Sequence, residues 1–269
     1  MLICPVRGCG LPLLREPGRV VCEKGHSFDR AKSGYLNLLQ PQERKSKNPG
    51  DSAAAVAARR RLHDRGITAP LLCAILEITQ PMGHVLDGHV LDAGCGDGFY
   101  LGQMAGITAH GIDISTPAIE SAARRYPDGE WIVANADRMI PFTDSSFSLI
   151  LSITGRMNPA EFARVLHQNG CLLVAVPSPE DLIELRGLSR DRVPRTVSDF
   201  SDHFELIAHR RATTSAELDA DAVHDVLHAI YRTRSEVTPA AMCLTFGLDL
   251  LLFRRSHAII KHGAPGRDP

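Results

Sequence analysis

The sequence predicts an α/β protein: a Rossmann-like parallel sheet wrapped by helices, with a small metal-binding domain at its N-terminus. Three observations make the prediction. First, the strand-like run His89-Val90-Leu91-Asp92-Ala93 ends in the glycine-rich loop Gly94-Cys95-Gly96-Asp97-Gly98, and Phe99-Tyr100-Leu101 opens a helix. Second, strand and helix patterns alternate downstream, with strands at 109–115, 130–135, 147–153 and 170–176 and helices at 116–125 and 159–167. Third, four residues of metal-ligating type crowd into the first 26 residues as Cys4-x4-Cys9-x12-Cys22-x3-His26.

The N-terminal element is justified by its spacing. Close pairs separated by about a dozen residues suit a tetrahedral Cys3His zinc site. Gly8, Gly10 and Gly25 flank the ligands and permit the sharp turns that bring each pair to one ion. Leu11, Leu13 and Leu14 face Val20 and Val21 across Glu16-Pro17-Gly18, which reads as a hairpin. A module this short has little core of its own, so the metal supplies much of its folding energy. Four protein ligands close the site, which makes it structural rather than catalytic.

Composition bounds the function. The 269 residues are 44% apolar and 23% charged, ordinary values for a folded globule, and no apolar run reaches the length of a membrane span. The N-terminus lacks the apolar stretch of a secretory signal, so a cytoplasmic protein is expected. The seven cysteines, an odd number, argue against a disulfide framework. The net charge of −1 hides an asymmetry. Residues 1–66 carry 13 Lys and Arg against 6 Asp and Glu, whereas the remainder carries 17 against 25. A basic front end on an acidic body points to a polyanionic partner.

Residues 40–51 contain no apolar side chain and two prolines, and read as a linker. Asp51 or Ser52 then caps a helix through alanines to Arg59-Arg60-Arg61, stopping at Gly66. Arg44, Lys45 and Lys47 of the linker, with Arg59 and Arg60 of the helix, are the candidate nucleic-acid phosphate contacts; the arginines equally suit the negative end of a helix dipole. A second helix is expected at 69–80. The domain division is then 1–36 for the zinc-binding domain and 37–66 for the basic linker and helix. The sheet domain spans 67–257, and 258–269 form a tail.

Within the sheet domain, Asp113 ends the second strand in Gly111-Ile112-Asp113-Ile114-Ser115, where an acid reaches both hydroxyls of a ribose. After the third strand, Asn135-Ala136-Asp137 and Ile140-Pro141-Phe142 place an acid where an adenine amine would sit. The loop form Gly-x-Gly-x-Gly and the Pro-Phe segment disfavour a nicotinamide dehydrogenase. Asp92 and Asp97 read either as cofactor-facing acids or as a strand terminator and a loop acid.

Asp-Ala-Gly-Cys-Gly-Asp-Gly, Gly-Ile-Asp-Ile-Ser and Ala-Asp-Arg-Met-Ile-Pro-Phe resemble the signature of class I S-adenosylmethionine-dependent methyltransferases. The front end narrows this. The Cys3His knuckle, His26-Ser27-Phe28-Asp29, Gly34-Tyr35-Leu36-Asn37-Leu38-Leu39, Asn48-Pro49-Gly50-Asp51-Ser52 and Ala58-Arg59-Arg60 resemble the RlmA family of 23S rRNA guanine-N1 methyltransferases, which includes tylosin-resistance enzymes. The resemblance runs from about residue 3 to 190 and more weakly to about 255. It implies a zinc-ribbon-like domain, a class I methyltransferase sheet and a homodimer whose paired zinc domains flank an RNA cleft. It further implies a guanine target in a hairpin loop of 23S rRNA domain II. By the same resemblance Cys4, Cys9, Cys22 and His26 hold zinc. The cofactor set is Asp92, Gly94, Gly96, Asp97, Gly98, Tyr100, Asp113, Ile114 and Asp137.

The chain departs from the family after its fourth sheet strand, where Ile153-Thr154-Gly155-Arg156-Met157-Asn158-Pro159 replaces the usual aromatic followed by Ala-Pro. Arg156 is the candidate catalytic residue, as a stabiliser of guanine O6, with a surface ion pair as its other reading. No carboxylate lies between Asp144 and Glu161, so no base is named. Two other functions share these motifs: a small-molecule methyltransferase, and a non-catalytic RNA-binding ribosome-assembly factor. Beyond residue 180 the pattern thins: Leu182-Ile183-Glu184-Leu185 starts a helix, Arg186, Arg190, Arg192 and Arg195 form a basic segment, and 243–253 forms a last strand.

Overall fold

The computed structural model describes residues 1–43, 49–80, 88–229 and 238–256. Arg44, Lys45, Lys47 and the 258–269 tail lie outside the described residues. No helix among the described residues is long and apolar enough to cross a membrane.

The chain opens with a three-stranded antiparallel ribbon: β1 (Leu14–Glu16), β2 (Arg19–Val21) and β3 (Ser27–Asp29). Pro17-Gly18 makes the expected turn, which puts Glu16 opposite Arg19. A two-residue strand, β4 (Leu36–Asn37), follows, then the helices α1 (Ala53–Asp64) and α2 (Ala69–Thr79). Ser52 caps α1 by accepting from Ala55 N at 3.2 Å, one of the two caps the sequence offered.

The body then alternates: β5 (His89–Ala93), α3 (Phe99–Gly102), β6 (Thr108–Asp113), α4 (Thr116–Arg125), β7 (Glu130–Val133), β8 (Phe147–Ile153), α5 (Pro159–Val165) and β9 (Leu166–Pro177). It finishes with α6 (Ile183–Arg186), α7 (Val193–Phe200), β10 (Phe204–Leu218), α8 (Ala220–Ala229) and β11 (Met242–Arg255). The eight-stranded sheet has the order β10-β11-β9-β8-β5-β6-β7-β4. Strands β4 to β9 within it run parallel, and β11 pairs antiparallel with both β9 and β10. The order reverses between β5 and β8, the switch point at which open α/β sheets bind ligands.

Both faces of the sheet are covered, as the uninterrupted apolar runs of parallel strands require. Val90, Leu149 and Leu151 pack with Leu62, Ile75, Ile119 and Val223 from α1, α2, α4 and α8. Leu91, Ile112 and Ile150 face the other way, toward Phe162 of α5, Phe200 of α7 and the ribbon residues Cys4, Leu13, Val20 and Cys22. The ribbon therefore shares a core with the sheet. Leu2 bridges Phe142, Ile3 N donates to Pro141 O at 3.0 Å, and Arg15 and Arg30 both pair with Glu130.

Three local readings change. Residues 36–38, placed at the end of the zinc domain and the start of the linker, belong to the main sheet: Leu36 and Asn37 pair with Ile132 and Val133, and Leu38 N donates to Val133 O at 2.9 Å. Helix α5 stops at Val165, because Leu166 already pairs with Phe147 across a bulge and starts β9 four residues early. The expected last strand at 243–253 is present, but its long partner β10 was not read from the sequence.

Candidate active site and zinc centre

The ribbon brings Cys4, Cys9, Cys22 and His26 together, with one ligand atom of each within 4.8 Å of the others. Cys9 Sγ and Cys22 Sγ are 3.8 Å apart, and His26 Nδ1 lies 3.4 Å from Cys4 Sγ and 3.3 Å from Cys22 Sγ. A tetrahedron with Zn–S of about 2.3 Å and Zn–N of about 2.0 Å has edges of roughly 3.5–3.8 Å. The donor set and its spacing fit zinc. All four positions are filled by protein, so the centre has no open coordination site for chemistry.

The second site sits at the C-terminal ends of β5 and β6. Gly94, Gly96 and Gly98 all have positive φ, so the loop curls back over the sheet. Gly98 is required for a second reason: a Cβ there would lie 2.6 Å from the ring of buried Trp131. Asp113 spans the gap between loop and turn. Its Oδ2 accepts from Gly96 N at 3.0 Å and its Oδ1 from Ser115 N at 2.8 Å. Burial raises the Asp113 carboxyl above the usual range despite those bonds.

Two further acids are more exposed to desolvation than to partners. Asp92 is buried, and burial followed by the Asp113 charge pushes its carboxyl up to about 8. Its Oδ1 has no hydrogen-bond partner. Asp97 is also buried, raised by desolvation, with Oδ2 unpartnered. Orphaned buried carboxylate oxygens beside a glycine cradle suit a cationic ligand. S-adenosylmethionine carries a sulfonium and an ammonium, so the residues present fit it. Tyr100 is half-buried beside them, with its phenol raised by burial, and Ile114 follows Asp113 on the same turn.

Asp137 and Arg156 are both exposed and face each other, Arg156 Nε lying 3.7 Å from Asp137 Oδ2. Asn158 caps α5 and ties the two loops by donating to the carbonyls of Ala136 and Asp137 at 3.2 and 3.0 Å. Thr154 takes a positive φ of 54° where the segment leaves β8, a strained backbone position for a β-branched residue.

The arginine triplet divides. Arg60 is exposed, 3.7 Å from Asp64. Arg61 makes a two-pronged pair with Asp225 of α8 at 2.8 and 2.5 Å. Arg59, a candidate RNA-phosphate contact, instead turns inward to Asp51 at 2.5 Å and the Ala229 carbonyl at 3.2 Å, beside Gly96. Sequence reasoning also missed His63. Its ring stacks on Phe99 at 3.9 Å with 6° between planes, and burial together with the charges of Arg59 and Arg125 pushes it down to about 4. The signal was available: Arg59 and His63 are four apart on the helix face that carries buried Val56 and Leu62.

Comparison with known proteins agrees with this geometry. The family model described as RlmA, N-terminal, matches residues 2–47, and one described as Methyltransferase domain matches residues 90–170. The 23S rRNA (guanine(748)-N(1))-methyltransferase of Streptomyces fradiae is 34% identical over 237 residues, covering 84% of this chain and 83% of that protein. YxjB of Bacillus subtilis (strain 168), assigned by name to 23S rRNA guanine-N1 methylation, is 34% identical over 246 residues, 84% of each chain. A Micromonospora griseorubida protein named for the same chemistry is 32% identical over 233 residues, with 76% and 77% covered. Identity at this level, sustained along most of both chains, places the molecule in one family: the chain belongs to the RlmA-type 23S rRNA (guanine-N1)-methyltransferases.

Proposed function

We propose that the chain transfers a methyl group from S-adenosylmethionine to N1 of a guanine in a hairpin loop of 23S rRNA. The observation that carries this reading is the shared core of the ribbon and the sheet. A closed zinc centre that does no chemistry is packed rigidly against the body that holds the cofactor loop. A rigid, basic module beside a cofactor site serves to position a polyanion over it.

The cofactor, when bound, supplies an already activated methyl group. What remains for the protein is placement. Asp113 and the loop amide of Gly96 fix the cradle, and Asp92 and Asp97 meet the ligand's positive charge. Asp137, at the loop after β7, takes the adenine amine in this reading. A guanine in a loop would be unstacked at low cost and could be brought to the methyl group that the cofactor would supply. Guanine N1 loses its proton to solvent, and Arg156, with 86% of its side chain exposed, is available to stabilise the charge that develops on O6. The protein acts in the cytoplasm as a homodimer whose two ribbons flank the RNA.

The test is incubation of the purified protein with labelled S-adenosylmethionine and 23S rRNA lacking the modification, followed by nucleoside mass spectrometry. Labelled 1-methylguanosine is expected; cofactor binding with no label in rRNA would overturn the reading. An Arg156→Ala variant is expected to lower turnover at least tenfold, and unchanged turnover removes its assigned role. Sedimentation of the protein, alone and with rRNA fragments, checks the dimer.

A further inference from the structure

The cofactor cradle is lined by acids, yet S-adenosylmethionine also carries a carboxylate, and an acidic pocket repels that end of the molecule. Around the glycine loop stand Asp92, Asp97 and Asp113, with Asp51 close enough to raise Asp113 further. Arg59 pairs with Asp51, and its charge bears on Asp113, on the Tyr100 phenol and, after that of Arg125, on Asp97. Arg59 comes from α1 in the linker region, not from the sheet domain.

Its placement is built. Gly50, with φ of +81°, is wedged against the turn that follows β6, where a Cβ would lie 2.8 Å from Ser115 Cβ and 2.9 Å from Ile114 Cγ2. Ser115 Oγ donates to the Asp51 carbonyl at 2.7 Å. Asp51 Oδ2 in turn accepts from Arg59 Nη1 at 2.5 Å, and Arg59 Nη2 reaches the Ala229 carbonyl at the end of α8. The guanidinium is thereby held from two sides with Nη1 against the loop, 3.8 Å from the point where a side chain on Gly96 would begin. Its side chain is only 29% exposed, which removes it from the surface available to RNA phosphates. Gly50 and Asp51 thus act on the turn after β6 and on Arg59 at once.

We propose that Arg59, positioned by Gly50 and Asp51, is the residue that recognises the amino-acid carboxylate of the cofactor. The inference rests on the reading of the glycine loop as the S-adenosylmethionine site. A planar guanidinium suits a carboxylate by geometry as well as charge.

Decarboxylated S-adenosylmethionine separates this from a purely structural staple. It keeps the sulfonium and the ammonium and lacks only the carboxylate, so its net charge is more positive. In an acidic cradle without a carboxylate receptor it would bind more tightly than the natural cofactor. The measurement is calorimetric binding of both ligands to the full chain, without RNA. Wild type is expected to prefer S-adenosylmethionine by on the order of 10- to 100-fold. Arg59→Gln is expected to abolish or reverse that preference while still binding the decarboxylated ligand. Equal binding of both ligands by wild type overturns the proposal, as does an Arg59→Gln variant that weakens both by the same factor. Should Arg59→Gln fail to fold, Arg59→Lys decides: it keeps the charge and loses the fork, so a preference reduced at least threefold supports the proposal and an unchanged one overturns it. Failure of wild type to bind either ligand instead overturns the cofactor reading itself.

Discussion

Replacing Asp92 by Asn should stabilise the ligand-free protein at high pH, and by an amount that depends on pH in a defined way. Asp92 lies at the end of β5 with one oxygen unpartnered, and its carboxyl is raised from 3.8 to about 8. The folded protein therefore holds this proton more tightly than the unfolded chain does. The stability this contributes is complete below pH 3.8 and is lost as pH rises toward 8, at up to about 1.4 kcal/mol per unit. Over the window from pH 6 to pH 8 the loss amounts to about 2 kcal/mol. Asparagine is neutral throughout and nearly isosteric, so it removes this dependence. Urea denaturation of both proteins at pH 6, 7 and 8 reads the difference directly. The gap in unfolding free energy should shift by about 2 kcal/mol in favour of Asp92→Asn between the first and last pH. A gap constant to within about 0.5 kcal/mol would refute the argument, because it would mean that the carboxylate is ionised and satisfied in the folded state. The same substitution should weaken S-adenosylmethionine binding, since the uncompensated acid is there to meet a cation.

Other expectations follow from the same structure. The chain should hold one zinc, and Cys22→Ser should abolish it and lower the thermal midpoint; a colorimetric zinc-release assay checks this, and a variant that retains stoichiometric metal contradicts the centre described. Gly98→Ala should cost at least ~2 kcal/mol, because its Cβ meets Trp131 at 2.6 Å and its φ is positive, whereas Gly106→Ala, equally left-handed but in open space, should cost about 1 kcal/mol. His63, buried and pushed down to about 4, contributes stability that is present above pH 6.5 and lost as pH falls toward 4, in total about 3 kcal/mol. A proton-NMR titration of its ring should give a midpoint well below 6, and a midpoint near 6.5 would show that the ring is solvated.

What was legible in the sequence was whatever local chemistry dictates. The ribbon turn is written in Pro17-Gly18, the zinc centre in the ligand spacing, and the cradle in three glycines between a buried strand and a helix start. Less was legible where distant parts of the chain decide. Leu36-Asn37 is too short to show a strand period and becomes one because β7 offers an open edge. Strand β10 alternates exposed and half-buried residues, many of them charged or small, and lacks the apolar run that marks a covered strand. Arg59 looked like part of a basic face because three arginines in a row span most of a helix turn. Only the packing of α1 against α4 and α8 determines which of them points inward.

The pairing of β4 with β7 has a consequence for how the molecule is made. Leu36 meets Ile132, and Leu2 meets Phe142, so the contacts that seat the first domain span roughly the first half of the chain. The zinc ligands, by contrast, all lie within the first 26 residues. During synthesis the ribbon can capture its metal long before its docking partners have emerged, and then waits as a folded bead on a loose chain. Its docking is a late, high-contact-order event that closes the sheet margin. A gene fragment that omits residues 1–38 would leave β7 as a bare edge, and its product should self-associate through that edge rather than survive as an independent catalytic half.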